Sequence, residues 1–155
     1  MSCKKTQNNK KQQKSEINFN QQNIQVAEQI KINQLQSALL KLQNGKTKYH
    51  FIGITSNGID CIYIIYENGK FNIEFEAIAQ QQIPYIEKLR QFANTNKFKN
   101  IMTTYNNKPE YKSQKPAPVL RVETNATLEE ITKIATNMQS HIFNNTENTS
   151  YDVVP

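Results

Sequence analysis

Glycine is scarce in this 155-residue chain, and so are cysteine, histidine and arginine. Each shortage removes a class of chemistry. The four glycines are Gly45, Gly53, Gly58 and Gly69, and three of them follow asparagine, so no glycine-rich loop is available to cradle a phosphate. Two cysteines, Cys3 and Cys61, make no disulfide framework: one sits in a polar leader and the other at an expected core position of a strand. His50 and His141 are far apart and belong to no His-x-x-x-His spacing, so no metal ligand set is read. Arg90 and Arg121 are the sole arginines. Sequence-specific nucleic-acid recognition, which needs basic side chains clustered on a folded face, is therefore not expected. No apolar run is long enough to span a bilayer.

The positive charge is also unevenly placed. The net charge is +6, and Lys4, Lys5, Lys10, Lys11 and Lys14 all precede the first acid, Glu16. Met1 to Asn23 is a Lys/Gln/Asn-rich leader broken only by Ile17 and Phe19, and such a composition cannot offset the entropy of ordering it. Residues 24–155 are read as a single domain. Met1-Ser2-Cys3-Lys4-Lys5 before a polar tether resembles the start of a mature bacterial lipoprotein, with Cys3 carrying the lipid. No apolar stretch precedes it in the sequence as written. The expectation is a cytoplasmic protein, or a periplasmic, envelope-anchored one if a signal precedes Cys3.

Within the domain, Asn57-Gly58 and Asn68-Gly69 fall inside one dense apolar run from Tyr49 to Ile78. Asn-Gly is the preferred filling of a two-residue type I′ hairpin, because both central residues need φ > 0. Three antiparallel strands are expected, Lys48–Thr55, Ile59–Tyr66 and Lys70–Ile78. Parity supports the third: Phe71, Ile73, Phe75 and Ala77 share one face, and Asn72, Glu74 and Glu76 the other. The middle strand is apolar on both faces apart from Asp60, which suits a central position with its neighbours at the edges.

Helical spacing flanks this meander. Ile24, Ala27, Ile30, Leu35, Ala38, Leu39 and Leu42 predict a first helix stopped by Asn44-Gly45. Ile83, Ile86, Leu89 and Ala93 predict a second, with Pro84 in its first turn. Thr127 and Glu130 form a capping box opening a third, whose stripe is Leu128, Ile131, Ala135, Met138 and Ile142. Two strands, Phe98–Asn106 and Val119–Thr124, lie between the last two helices, with Pro109, Pro116 and Pro118 keeping their connecting loop out of the sheet. The fold class is α+β: helix, three-stranded antiparallel meander, helix, two strands, helix, the helices packed on one antiparallel sheet.

That order, together with Phe92-Ala93-Asn94-Thr95-Asn96-Lys97-Phe98, Val119-Leu120-Arg121-Val122-Glu123 and Thr127-Leu128-Glu129-Glu130-Ile131, resembles the class I type III secretion chaperones and the related YbjN and TY-chaperone domains. The resemblance spans roughly Ile24 to Asn144; residues 107–118 and Tyr151–Pro155 have no counterpart in it. It implies a small non-enzymatic protein that binds another protein, an effector, toxin or secreted substrate, often as a homodimer. Toxin-neutralising immunity proteins also use such domains.

Candidate site residues follow from side-chain type. Tyr63, Tyr66 and Tyr105 are expected at a partner surface, because tyrosine buries much area with few rotors. Parity puts Tyr63 and Tyr66 on opposite faces, so only one shares the surroundings of Ile65. Glu74 and Glu76 stand about 7 Å apart along one strand face. They would steer a basic partner, and the alternative is an acid/base pair of an enzyme with an unrecognised site. No cofactor is implied, and a membrane is a partner only through a lipid on Cys3.

Overall fold

The structure is a computed structural model and describes residues 28–104 and 117–155. The leader with Cys3, the expected helix start at Ile24, and Tyr105, Pro109 and Pro116 lie outside the described residues. Among the described residues, seven strands form one sheet: β1 (Glu28–Lys31), β2 (Phe51–Thr55), β3 (Ile62–Glu67), β4 (Lys70–Glu76), β5 (Lys99–Thr104), β6 (Pro118–Ala126) and β7 (Ser150–Val154). Their spatial order is β1-β7-β2-β3-β4-β6-β5, and every ladder is antiparallel. Three helices, α1 (Leu35–Gln43), α2 (Ile83–Thr95) and α3 (Leu128–Asn137), complete an α+β fold.

One face of the sheet carries the core. Ile52, Ile54, Ile62, Ile64, Phe71, Ile73, Phe75, Leu120, Val122 and Tyr151 are buried there against Leu35, Leu39, Leu89, Ala93, Ile131 and Ala135 of the helices. The expected parity of β4 holds, with Phe71, Ile73, Phe75 and Ala77 all at most 2% exposed. β3 holds the expected central position and is the middle strand of seven. Its neighbours are not the edges, however. β2 also pairs with β7 and β4 with β6, leaving β1 and β5 outermost.

The helix signals act locally and mostly as expected. Gly45 (φ 70°) ends α1, with Lys46 N–H donating to Lys41 O at 2.9 Å. Thr127 accepts from Glu130 N–H and Glu130 from Thr127 N–H, each at 3.3 Å, closing the capping box of α3. Pro84 sits in the first turn of α2. The third helix does not run on to Ile142 as one α-helix. A π turn runs over Met138–Ile142, and Gln139 within it is 1% exposed.

Further expectations are overturned. Glu28–Lys31 is a strand, so α1 begins only at Leu35, after a 3₁₀ turn; Ile30 is buried by pairing opposite Tyr151 instead of by helical packing. That pairing partner comes from the C-terminal residues 150–154, inserted between β1 and β2. Pro118 opens β6, a strand position that tolerates a missing N–H, and its carbonyl accepts from Ala77 N–H at 2.9 Å.

The two Asn-Gly turns do not share one geometry. Asn68 (φ 51°) and Gly69 (φ 74°) are both left-handed, as a type I′ hairpin between β3 and β4 requires. At Asn57-Gly58 only Gly58 (φ 81°) is. The connection runs from Thr55 to Ile62 and folds around the Asp60 carboxylate, which is 1% exposed. Oδ1 accepts from Thr55 Oγ1 and Ser56 N–H, both at 2.8 Å, and Oδ2 accepts from the Ser56 hydroxyl and from Asn145 Nδ2 at 2.8 Å. Asn57 Oδ1 in turn accepts from Ile59 N–H at 2.9 Å and Asp60 N–H at 3.1 Å. β3 therefore starts late. Asp60 and Cys61 precede it, and Cys61 is half-buried, not a core residue.

Candidate functional site: the open face of the sheet

Opposite the core, the sheet presents a second face whose composition is set by the same alternation. Cross-strand registers place Ile101, Arg121, Glu74, Tyr63, Gly53 and Val154 side by side in one tier across six strands. A groove of about 400 Å³ opens over this tier, walled by Phe51, Tyr63 and Ile65 on one side and by Glu67, Glu74, Glu76 and Arg121 on the other. His50, exposed just ahead of β2, stands at its rim.

Arg121 organises the polar wall. Its Nη2 pairs with Glu67, its Nη1 reaches Glu74 Oε1 at 3.2 Å, and its Nε lies 3.6 Å from Glu123 Oε1. One guanidinium is thus shared among three carboxylates, its planar fork serving more than one partner at once. The Arg121 hydrogen bond holds the Glu67 carboxyl below its usual range, aided by Asn72 Nδ2, which donates to Glu67 Oε1 at 3.0 Å. Glu76 is outside this network and pairs with no cation among the described residues. Burial, and then the neighbouring Glu74, push its carboxyl above the usual range.

The apolar wall depends on a glycine. A Cβ at Gly53 would stand 2.6 Å from Val154 Cγ2 and 2.9 Å from Tyr63 Cε1, so the missing side chain is what lets Tyr63 and Val154 close over the strand. Tyr63 meets Phe51 edge-on, ring centroids 5.9 Å apart, and Phe51 stacks on Tyr49 at 5.3 Å. The Cys61 thiol, hydrogen-bonded to Tyr63, is pushed up to about 11 by burial and stays protonated at neutral pH.

Of the residues expected from sequence, the fold brings Tyr63, Glu74 and Glu76 together in the groove. Tyr66 points the other way, as parity required, and packs on Phe71 at a centroid distance of 4.8 Å against the core. It takes no part in the groove. Tyr105 and Cys3 lie outside the described residues. His141 is exposed in the π turn, far in sequence from His50. Arg121, Glu67, Phe51 and Gly53 are site residues that the sequence reading passed over. Arg121 had a signal: in Val119-Leu120-Arg121-Val122-Glu123 it alternates with apolar residues, which puts a charge on the face of β6 away from the core.

Chemically, the groove offers carboxylates, aromatic edges and one neutralised guanidinium. Among the described residues, no group of three or more His, Cys, Asp or Glu side chains is placed to hold a metal ion. No helix among them is long and apolar enough to cross a membrane. No family model, no curated protein and no solved structure matches the chain.

Proposed function

We propose that this chain is a protein-binding module whose open sheet face receives a basic, extended segment of another protein. The observation that carries this reading is the groove itself, where three carboxylates, two of them paired with the one arginine, stand beside the Phe51–Tyr63 wall. Lysine or arginine side chains satisfy the surplus negative charge, and their aliphatic stems pack on the aromatic edges. Such charges act mainly on encounter rate and partner choice, while the aromatic wall supplies buried area. A secretion-chaperone or immunity role, as the family resemblance implies, is a particular form of this reading.

Titration of the full chain with fluorescent peptides of matched length, one lysine-rich and one glutamate-rich, tests it by anisotropy. The lysine-rich peptide should bind, weaken with added salt, and lose affinity when Glu74→Gln and Glu76→Gln are combined. Equal binding of both peptides, or binding that ignores the two substitutions, would overturn it.

A further inference from the structure

The groove faces a candidate occupant in its own chain. The leader holds Lys4, Lys5, Lys10, Lys11 and Lys14, five cations ahead of the first acid, whereas the groove wall has Glu67, Glu74 and Glu76 against Arg121 alone. Register also places the start of β1 near the groove. Glu28 pairs with Val153, so the chain joins β1 at the end that lies beside Val154 and Gly53, level with the tier that crosses the groove. Three strand spacings separate β1 from β3 and four separate it from β4, about 14 and 19 Å. Lys14 precedes Glu28 by 14 residues, enough for roughly 45 Å of extended chain.

We propose that the segment Lys4–Lys14 docks in cis across the acidic groove, its lysines against Glu74 and Glu76, and is displaced when a partner's basic segment binds. This rests on the reading of the groove as a receptor for basic segments. The tether makes docking intramolecular, at an effective concentration of the order of millimolar, so weak individual contacts suffice. A partner then has to compete with the leader, which raises the affinity threshold for poorly matched sequences.

A nitroxide on Cys3 of the full chain reads the contact directly. Cys61, half-buried and with its thiol pushed up to about 11, reacts slowly, and mass spectrometry verifies single labelling. In about 20 mM salt, the amide signals of Tyr63, Glu74 and Glu76 should lose most of their intensity, those of Ile131 and Ala135 in the helix layer behind the sheet much less. The loss should vanish in about 500 mM salt, where screening is short-ranged, and in the chain carrying both Glu74→Gln and Glu76→Gln. Equal broadening of both faces, no broadening at low salt, or broadening only when labelled and unlabelled chains are mixed would overturn docking in cis.

A second measurement separates this from failure of the groove reading. A synthetic peptide of residues 1–16 is added to the full chain in which all five leader lysines are glutamine. Binding of the peptide at the groove, with no nitroxide effect in the unsubstituted chain, removes the cis docking and leaves the groove a receptor for basic segments. Absence of both removes both.

Discussion

Tyr63 occupies the space that a side chain at Gly53 would need, its Cε1 standing 2.9 Å from where a Cβ would be. The two residues face each other across the β2–β3 ladder. Gly53 has no left-handed φ, so close approach alone accounts for it. Gly53→Ala should therefore act on the groove, not on the backbone. Tyr63 and Val154 must swing outward, at a cost of about 1–3 kcal/mol by urea denaturation. The Tyr63 ring signals should shift while those of Phe71 stay in place.

Asp60 is a buried carboxylate held by hydrogen bonds instead of by a cation. Burial alone would raise its pKa, but the Ser56 hydroxyl and N–H, Asn145 and Thr55 together hold it below the usual carboxylate range. Its contribution to stability is accordingly present above the unfolded value of about 3.9 and lost as pH falls through the folded one. Asp60→Asn places an amide donor against the donors of Ser56 and Asn145 and should cost roughly 2–3 kcal/mol at neutral pH. The variant's melting temperature should then fall less steeply than the parent's below pH 4. A variant as stable as the parent at neutral pH would contradict this account of the loop.

Glu76 has the opposite sign. Its folded pKa lies above the unfolded one, so the unfolded chain releases the proton first and stability drops as pH rises from about 4.3 through the folded value. Glu76→Gln should be more stable than the parent at pH 7, with the difference closing below about pH 4. Paired thermal melts across that range check it. An acid that weakens the fold where it stands is the kind of residue a binding surface keeps.

The two Asn-Gly turns separate on substitution by glycine. Asn68→Gly keeps the left-handed geometry and should change stability by no more than about 0.5 kcal/mol. Asn57→Gly deletes the acceptor for Ile59 and Asp60 N–H and should cost about 1–2 kcal/mol. Chemical denaturation midpoints distinguish the pair, and equal costs would contradict the different roles given to them.

Tyr151 fastens the C-terminal strand. It is 1% exposed, pairs with Ile30, and burial pushes its phenol up to about 12. Tyr151→Ala should cost about 3–5 kcal/mol and remove hydrogen-exchange protection from β1 as well as β7. Loss of protection in β7 alone would show that β1 is held by α1 instead.

Much of the fold was readable because its signals act within one element. The alternation Phe71, Ile73, Phe75 set the core face of β4, Thr127 and Glu130 set the start of α3, and Gly45 set the end of α1. Part of the site followed from the same alternation, which put Glu74 and Glu76 on the face away from the core and set Tyr63 and Tyr66 on opposite faces without saying which was which. Arg121 joined them only through the β4–β6 register, a pairing between residues 74 and 121.

The amino-acid sequence alone determined periodicity, caps and the Asn68-Gly69 turn, because each needs only neighbours a few residues away. Tertiary structure decided what Glu28–Lys31 and Ser150–Val154 become, since a four-residue segment is a strand only when a partner completes its hydrogen bonds. It likewise decided that Asn57-Gly58 would serve a buried carboxylate one of whose donors, Asn145, lies far along the chain. A dipeptide specifies the conformations open to it; the groups that gather around it select one.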